Sequence, residues 1–153
     1  MNKKIVLADE HDVVLTATLA RDVDREEAYY QTGLEIEDAA IEAFDASNDR
    51  VWAGYYNDEP VCCFGVALVS PLYAMGAPWM IATPLLDKVK VSFAAGCCYY
   101  RNEIRQGFDV LQNVVWAENK PAIRWLKWMG FEVGEAAAYG PFDKPFHPFE
   151  WRK

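Results

Sequence analysis

Few residues in this chain stand at spacings that do chemistry. The serines Ser47, Ser70 and Ser92 all lie outside the Gly-x-Ser-x-Gly setting that presents a nucleophile on a strand-to-helix turn. Neither a Walker-type phosphate loop nor a dinucleotide fingerprint occurs. The cysteines form two adjacent pairs, Cys62-Cys63 and Cys97-Cys98, and the histidines are His11 and His147. Neighbouring residues point in different directions, and metal ligands favour gaps of two to four residues, so no metal is expected. The cysteines read as small buried hydrophobes of a reducing compartment.

Composition narrows the partners. Net charge is −8, from 23 acids against 15 bases, which disfavours nucleic acid and anionic membrane surfaces alike. The acids cluster between Asp22 and Asp49 and read as a solvated helical face. Six Trp, eight Tyr and eight Phe supply enough buried area for a core without staples. Apolar runs such as Val61–Val69 are too short to cross a bilayer, and Met1–Lys4 leads into a strand-like run with no cleavage site. The expectation is one domain over residues 1–153, not secreted.

Patterning gives the elements that must position any site. Lys4–Ala8 is β-like, and Asp9 or Asp12 caps a helix to about Arg21. Asp22–Glu27 reads as a polar break, and Glu35–Ser47 as a helix with Ile36, Ala40 and Phe44 on one face. Val51–Tyr56 and Val61–Ser70 make a hairpin, and Pro71–Pro78 a loop before a strand at Trp79–Ala82. Thr83-Pro84 starts a helix whose stripe runs through Leu86, Val89, Phe93, Cys97, Tyr100 and Ile104. Phe108–Trp116 is a buried strand, Asn119–Met129 a helix ended by Gly130, and Phe131–Ala138 and Phe146–Trp151 two further strands. Within that last helix, Trp125 or Leu126 should bury against the sheet. This order predicts an α/β fold, a mixed central sheet with helices on both faces, in which Trp79–Ala82 and Phe108–Trp116 lie parallel and adjacent.

The element order resembles that of the GNAT N-acyltransferase superfamily. Asn119, Ala122, Trp125, Gly130 and Phe131 match its motif of Asn, Ala three residues on, an aromatic at six and Gly-Phe at eleven and twelve. Leu111-Gln-Asn113-Val-Val-Trp116-Ala-Glu-Asn119, followed by Ile123-Arg124, Leu126-Lys127 and Gly130, is similar to the GNAT-like internal virion proteins of short-tailed bacteriophages.

The resemblance implies an acyl-CoA, acetyl-CoA among them, whose pantetheine lies between two splayed strands and whose pyrophosphate sits on the next helix N-terminus. Asn119, Thr83, Lys88 and Lys90 are the residues it would assign to the cofactor. The sequence departs from the family here. No glycine stands between Ala82 and Phe93, Pro84 removes a donor, and Lys88 and Lys90 also fit a solvated helix face. Leu126 occupies the position where the family often has a Tyr, and Trp79–Ala82 carries no acid. Glu118 and Asp109 are bases by proximity only, and Tyr99, Tyr100 and Tyr139 are substitute hydroxyls, so no catalytic residue is assigned.

The sequence thus reads first as a phage GNAT-like protein with a degenerate acyl-CoA site, acting by binding a phage or host protein in the host cytoplasm or the virion. The alternative is an active acyl-CoA N-acyltransferase with atypical catalytic residues. For the binding reading, exposed aromatics are expected at Tyr73, Phe146, Phe149 and Trp151. Phe146 and Trp151 equally fit the core or a homodimer seam.

Overall fold

The computed structural model describes residues 2–153, the side chains of Cys97 and Cys98 apart. The chain runs β1 (Lys3–Leu7), α1 (Glu10–Thr18), α2 (Asp22–Thr32), α3 (Ile36–Ala46), β2 (Val51–Tyr56), β3 (Glu59–Ser70) and β4 (Met75–Ala82). Then come α4 (Leu86–Ala94), α5 (Cys97–Arg105), β5 (Val110–Trp116), α6 (Lys120–Trp128), β6 (Glu132–Val133), β7 (Ala137–Tyr139) and β8 (Lys144–Arg152). The strands form one mixed sheet in the order β1-β2-β3-β4-β5-β8-β6, with β7 also on β8. Among the described residues only β4 and β5 pair in parallel; the strands are adjacent and parallel as the patterning predicts, but the ladder falls at Met75 and Gly76 rather than within Trp79–Ala82.

Helices cover both faces. Val13 and Ala17 of α1 and Ile36 and Ala40 of α3 bury against Ala53, Cys63 and Ile81 on one face. On the other, Val89 and Phe93 of α4 pack on Cys62 and Ala82, while Ile104 of α5 and Ile123 of α6 join Leu111, Val115 and Phe149. Cys62 and Cys63 are buried, as expected of small hydrophobes. The other cysteine side chains lie outside the described residues.

Local chemistry explains where the elements start and stop. Asp9 caps α1 in a reciprocal box: its Oδ1 accepts from the Asp12 N–H at 2.9 Å, and Asp12 Oδ2 accepts from the Asp9 N–H at 3.0 Å. The expected polar break at Asp22–Glu27 is instead the first turns of α2, which ends where Gly33 takes φ +78. No apolar stripe announces this helix, because its inward face is polar. The single helix expected from Pro84 to Ile104 divides at Ala95-Gly96 into α4 and α5.

Strand β4 begins at Met75, four residues before its expected start, so Pro78 lies inside it. Pro78 is tolerated because its missing N–H costs nothing on a side where β5 no longer pairs. The expected strand Phe131–Ala138 splits at Gly134, whose N–H donates to Pro148 O at 2.7 Å.

Two aromatics expected on a partner-binding surface belong to the core: Phe146 is 1% exposed and Phe149 6%. Three residues apart on β8, they point to opposite faces of the sheet, and both faces are covered there, Phe149 packing against Phe131. Trp151 is partly covered under the Arg105 guanidinium, and Tyr73 is 68% exposed. We predict that Phe146→Ala lowers stability by about 3–5 kcal/mol, read as a shift in the urea midpoint. A shift under about 1 kcal/mol would contradict this packing.

Candidate active site

The site starts from a fork in the sheet. β4 and β5 pair at Met75–Val110 and Gly76–Leu111, and beyond those residues the ladder ends. At the fork Gly76 meets its neighbours so closely that a Cβ would come within 2.6 Å of Val66 Cγ1 and 2.7 Å of Phe108 Cε1. Only glycine lets the strands approach here before they part. Above this point the strand edges have lost their ladder partners, and a buried edge must find others.

Side chains supply them. The Asn113 amide bridges the fork: Nδ2 donates to Pro78 O at 2.9 Å, and Oδ1 accepts from the Val114 N–H at 2.8 Å. Higher up, the Arg21 N–H donates to Ala82 O at 2.9 Å, and the Ala82 N–H donates to Asp24 Oδ2 at 2.9 Å. Opposite, on β5, the Trp116 N–H donates to Glu27 Oε2 at 2.8 Å. Asp24, Glu27 and Gln31 follow helical steps of three and four along α2, so one face of this helix lies over the fork.

A cavity of about 830 Å³ occupies the opening. It is bordered by Asp24, Glu27 and Gln31 on the α2 side and by Phe93, Tyr100 and Leu126 on the opposite side of the sheet. The lining draws residues from both faces of the sheet and includes Trp79–Ile81 of β4 and Asn113–Val115 of β5, where the two strands diverge.

Glu27 is the residue here whose environment suits proton transfer. Burial pushes its carboxyl up to about 7, against the opposing pull of the Trp116 N–H and the Asn119 amide. Both of its hydrogen bonds fall on Oε2, with Asn119 Nδ2 at 3.3 Å. No described residue is hydrogen-bonded to Oε1. Asp24 is raised as well, chiefly by burial, although Arg21 grips it through both guanidinium arms at 3.1 Å.

The residues expected to hold a cofactor do not converge. Asn119 is 1% exposed; it caps α6, accepting from the Ala122 N–H at 3.4 Å, and positions Glu27. Thr83 is 4% exposed and spends its hydroxyl within the fold, donating to Pro60 O at 2.8 Å and accepting from the Leu85 N–H at 3.3 Å. Lys88 and Lys90 are exposed on α4, and of the two Lys90 borders the cavity. Leu126 and Trp125 also border it; at least one was expected to be buried against the sheet, and both are half-buried against the core, while Ile123 is the buried residue of α6. Sequence reasoning missed Glu27, Asp24, Gln31 and Asn113. The Asp24–Glu27–Gln31 spacing was the available signal, but polar residues at helical steps look the same on a solvated face.

No family model and no curated protein matches the sequence. Solved structures do match in three dimensions. Ard1 from Thermoplasma volcanium superposes with TM-score 0.75 at 13% identity, over 99% of this chain and 98% of that one. An N-acetyltransferase from Staphylococcus aureus Mu50 gives 0.70 at 15%, over 99% of both chains. A spermidine N-acetyltransferase from Vibrio cholerae, solved with CoA and spermine, gives 0.70 at 10%, over 98% and 95%. This is the GNAT fold. Identities this low carry the fold and no residue roles.

Among the described residues, no helix is long and apolar enough to cross a membrane. Asp9, His11 and Asp12 bring ligand atoms within 4.8 Å of one another. The two carboxylates are already engaged in the α1 capping box, which accounts for their proximity.

The raised carboxyl of Glu27 has a stability consequence. Between its ordinary 4.5 and about 7 the folded chain holds a proton that the unfolded chain has lost. Stability therefore falls as pH rises through that window, by on the order of 3 kcal/mol from this group. Asp24, also raised, acts in the same direction. Urea unfolding of the wild type from pH 5 to 8 should show this decline, and Glu27→Gln should flatten it. Equal slopes in both proteins would mean that Glu27 is not held protonated.

Proposed function

We propose that the chain is an N-acyltransferase in which Glu27 is the general base. A thioester donor lies in the fork, its arm against β4 at Met80, and a primary amine enters from the α1–α3 face. The observation that carries this reading is Glu27: a carboxyl poised near neutrality, fixed through one oxygen, bordering the cavity at the fork. A base with its pKa near the working pH is the effective kind.

The chemistry is that of aminolysis. Glu27 takes one proton from the ammonium, the neutral amine attacks the thioester carbonyl and the C–N bond forms, and as the adduct collapses the C–S bond breaks to release thiolate while the second N–H proton passes to water. Pro78 and Ala82 turn their peptide groups to the fork, so strand alternation turns the N–H of Met80 the same way, toward a developing oxyanion. No hydroxyl stands at Leu126 to protonate the thiolate, which leaves that proton to water. Holding two substrates on either side of one gap supplies a large part of the rate by itself.

Thiol release from acetyl-CoA and other thioesters, with a panel of primary amines, tests the reading. Wild type should show an acid limb in kcat near pH 7. Glu27→Gln should lose about 10²-fold or more and lose that limb. Retention of activity within about threefold would remove Glu27 from the mechanism.

A second reading, action through a protein partner of phage or host, is supported by the tip of the β3–β4 hairpin. Val69, Leu72 and Tyr73 are exposed there at 56%, 83% and 68%. The likeness of Leu111–Gly130 to internal virion proteins supports a phage origin, and with it a place in the host cytoplasm or virion. The degenerate-site form of this reading draws on Leu126 and on the glycine-free start of α4. Under it, Leu72→Ser with Tyr73→Ser abolishes capture of the partner at an unchanged melting temperature. Undiminished capture would place the contact elsewhere.

A further inference from the structure

The start of α4 bears on which part of a thioester donor this chain can grip. An anion at a helix N-terminus needs peptide N–H groups that the chain does not use itself. Here the early donors are engaged. The N–H of Thr83 donates to Val61 O at 2.9 Å, that of Leu85 to Thr83 Oγ1 at 3.3 Å, and that of Leu86 to Thr83 O at 3.1 Å. Asp87 donates to Pro84 O at 3.2 Å and Lys88 to Leu85 O at 3.0 Å, while Pro84 has no N–H to give. Asp87 also places a carboxylate in the first turn, 3.8 Å from Arg21, where it already complements the helix dipole. A pyrophosphate at this position would meet occupied donors and a like charge, on a chain of net charge −8.

The other end of the donor meets a different surface. On the α4–α6 side the cavity is bordered by Phe64, Phe93, Tyr100, Trp125, Leu126 and Met129, and at the fork by Met80 of β4, whose peptide groups face away from β3 between the occupied ones of Pro78 and Ala82. Apolar walls beside a strand edge suit a chain of methylenes, methyls and amides, which is the make-up of an acylated pantetheine arm. Resting on the transferase reading above, we infer that this chain recognises a thioester through its pantetheine arm and acyl group, and that the nucleotide end contributes almost nothing.

The test uses the full chain and two non-reactive thioethers, S-ethyl-pantetheine and S-ethyl-CoA, titrated by calorimetry at two salt concentrations. The two Kd values should agree within about threefold, where a pair of charge-assisted phosphate contacts would separate them on the order of a hundredfold. Lys88→Ala and Lys90→Ala should leave S-ethyl-CoA binding within about twofold of wild type. S-ethyl-CoA binding more than about thirtyfold tighter, with an affinity that falls in salt, would overturn the inference and leave the transferase standing. Binding of neither thioether would bring down the transferase reading itself, since both share the arm that the fork is proposed to hold.

Discussion

The parting of β4 from β5 is the constraint on which the rest of this structure depends. Each peptide group that leaves a ladder inside a protein forfeits about 1–3 kcal/mol unless another partner is found. The chain finds these partners in side chains and in one stretch of turn backbone. Asn113 spans the base of the fork, Arg21 and Asp24 close the end of β4, and Glu27 closes the end of β5. Remove the fork, and none of these polar groups has a reason to be where it is.

That requirement shapes α2. A helix lying over an apolar sheet would carry leucines and isoleucines inward, as α3 does with Ile36 and Ala40. Lying over exposed peptide edges, α2 carries Asp24, Glu27 and Gln31 instead, and the desolvation that results raises both carboxyls. The same event that completes the backbone hydrogen bonding therefore prepares a proton acceptor. Arg21 answers the charge of Asp24 at 3.1 Å and leaves Glu27 the less compensated of the two.

The fold was legible because its signals are apolar and local. The helical stripe from Leu86 to Ile104, the β-branched run before Trp116, and the Asn119-to-Phe131 motif all sit where the patterning puts them. Boundaries failed where backbone chemistry overrode pattern. Gly96 divided one stripe into two helices, Gly134 split a strand, and Pro78 was taken for a loop residue when an unpaired edge could hold it. The site was nearly illegible, since a carboxylate facing strand edges and one facing water obey the same spacing. Thr83 shows the reverse error. A hydroxyl before a proline looks free for a ligand, but Pro60 O, distant in sequence, takes its proton and the Leu85 N–H occupies its oxygen. Aromatics near the C-terminus misled for a related reason: alternation puts Phe146 and Phe149 on opposite faces of β8, and a ring count cannot tell that both faces are covered.

The proposed base stands on α2 rather than on the central strand, and that has a geometric logic. A residue on β4 would have to point up or down from the sheet, while the fork itself is open in the plane of the strands. Glu27 reaches that plane from above, hydrogen-bonded to a β5 peptide that belongs to the fork's own wall. An amine arriving over the α1–α3 face would meet the carboxylate before it met the thioester, which is the order aminolysis needs, because an ammonium cannot attack. Neutral amine and carbonyl would then face each other across a gap held open by Asn113 at its base and by α2 at its top. The hydrogen bonds that hold the strands apart would thus also set the distance over which the acyl group must travel.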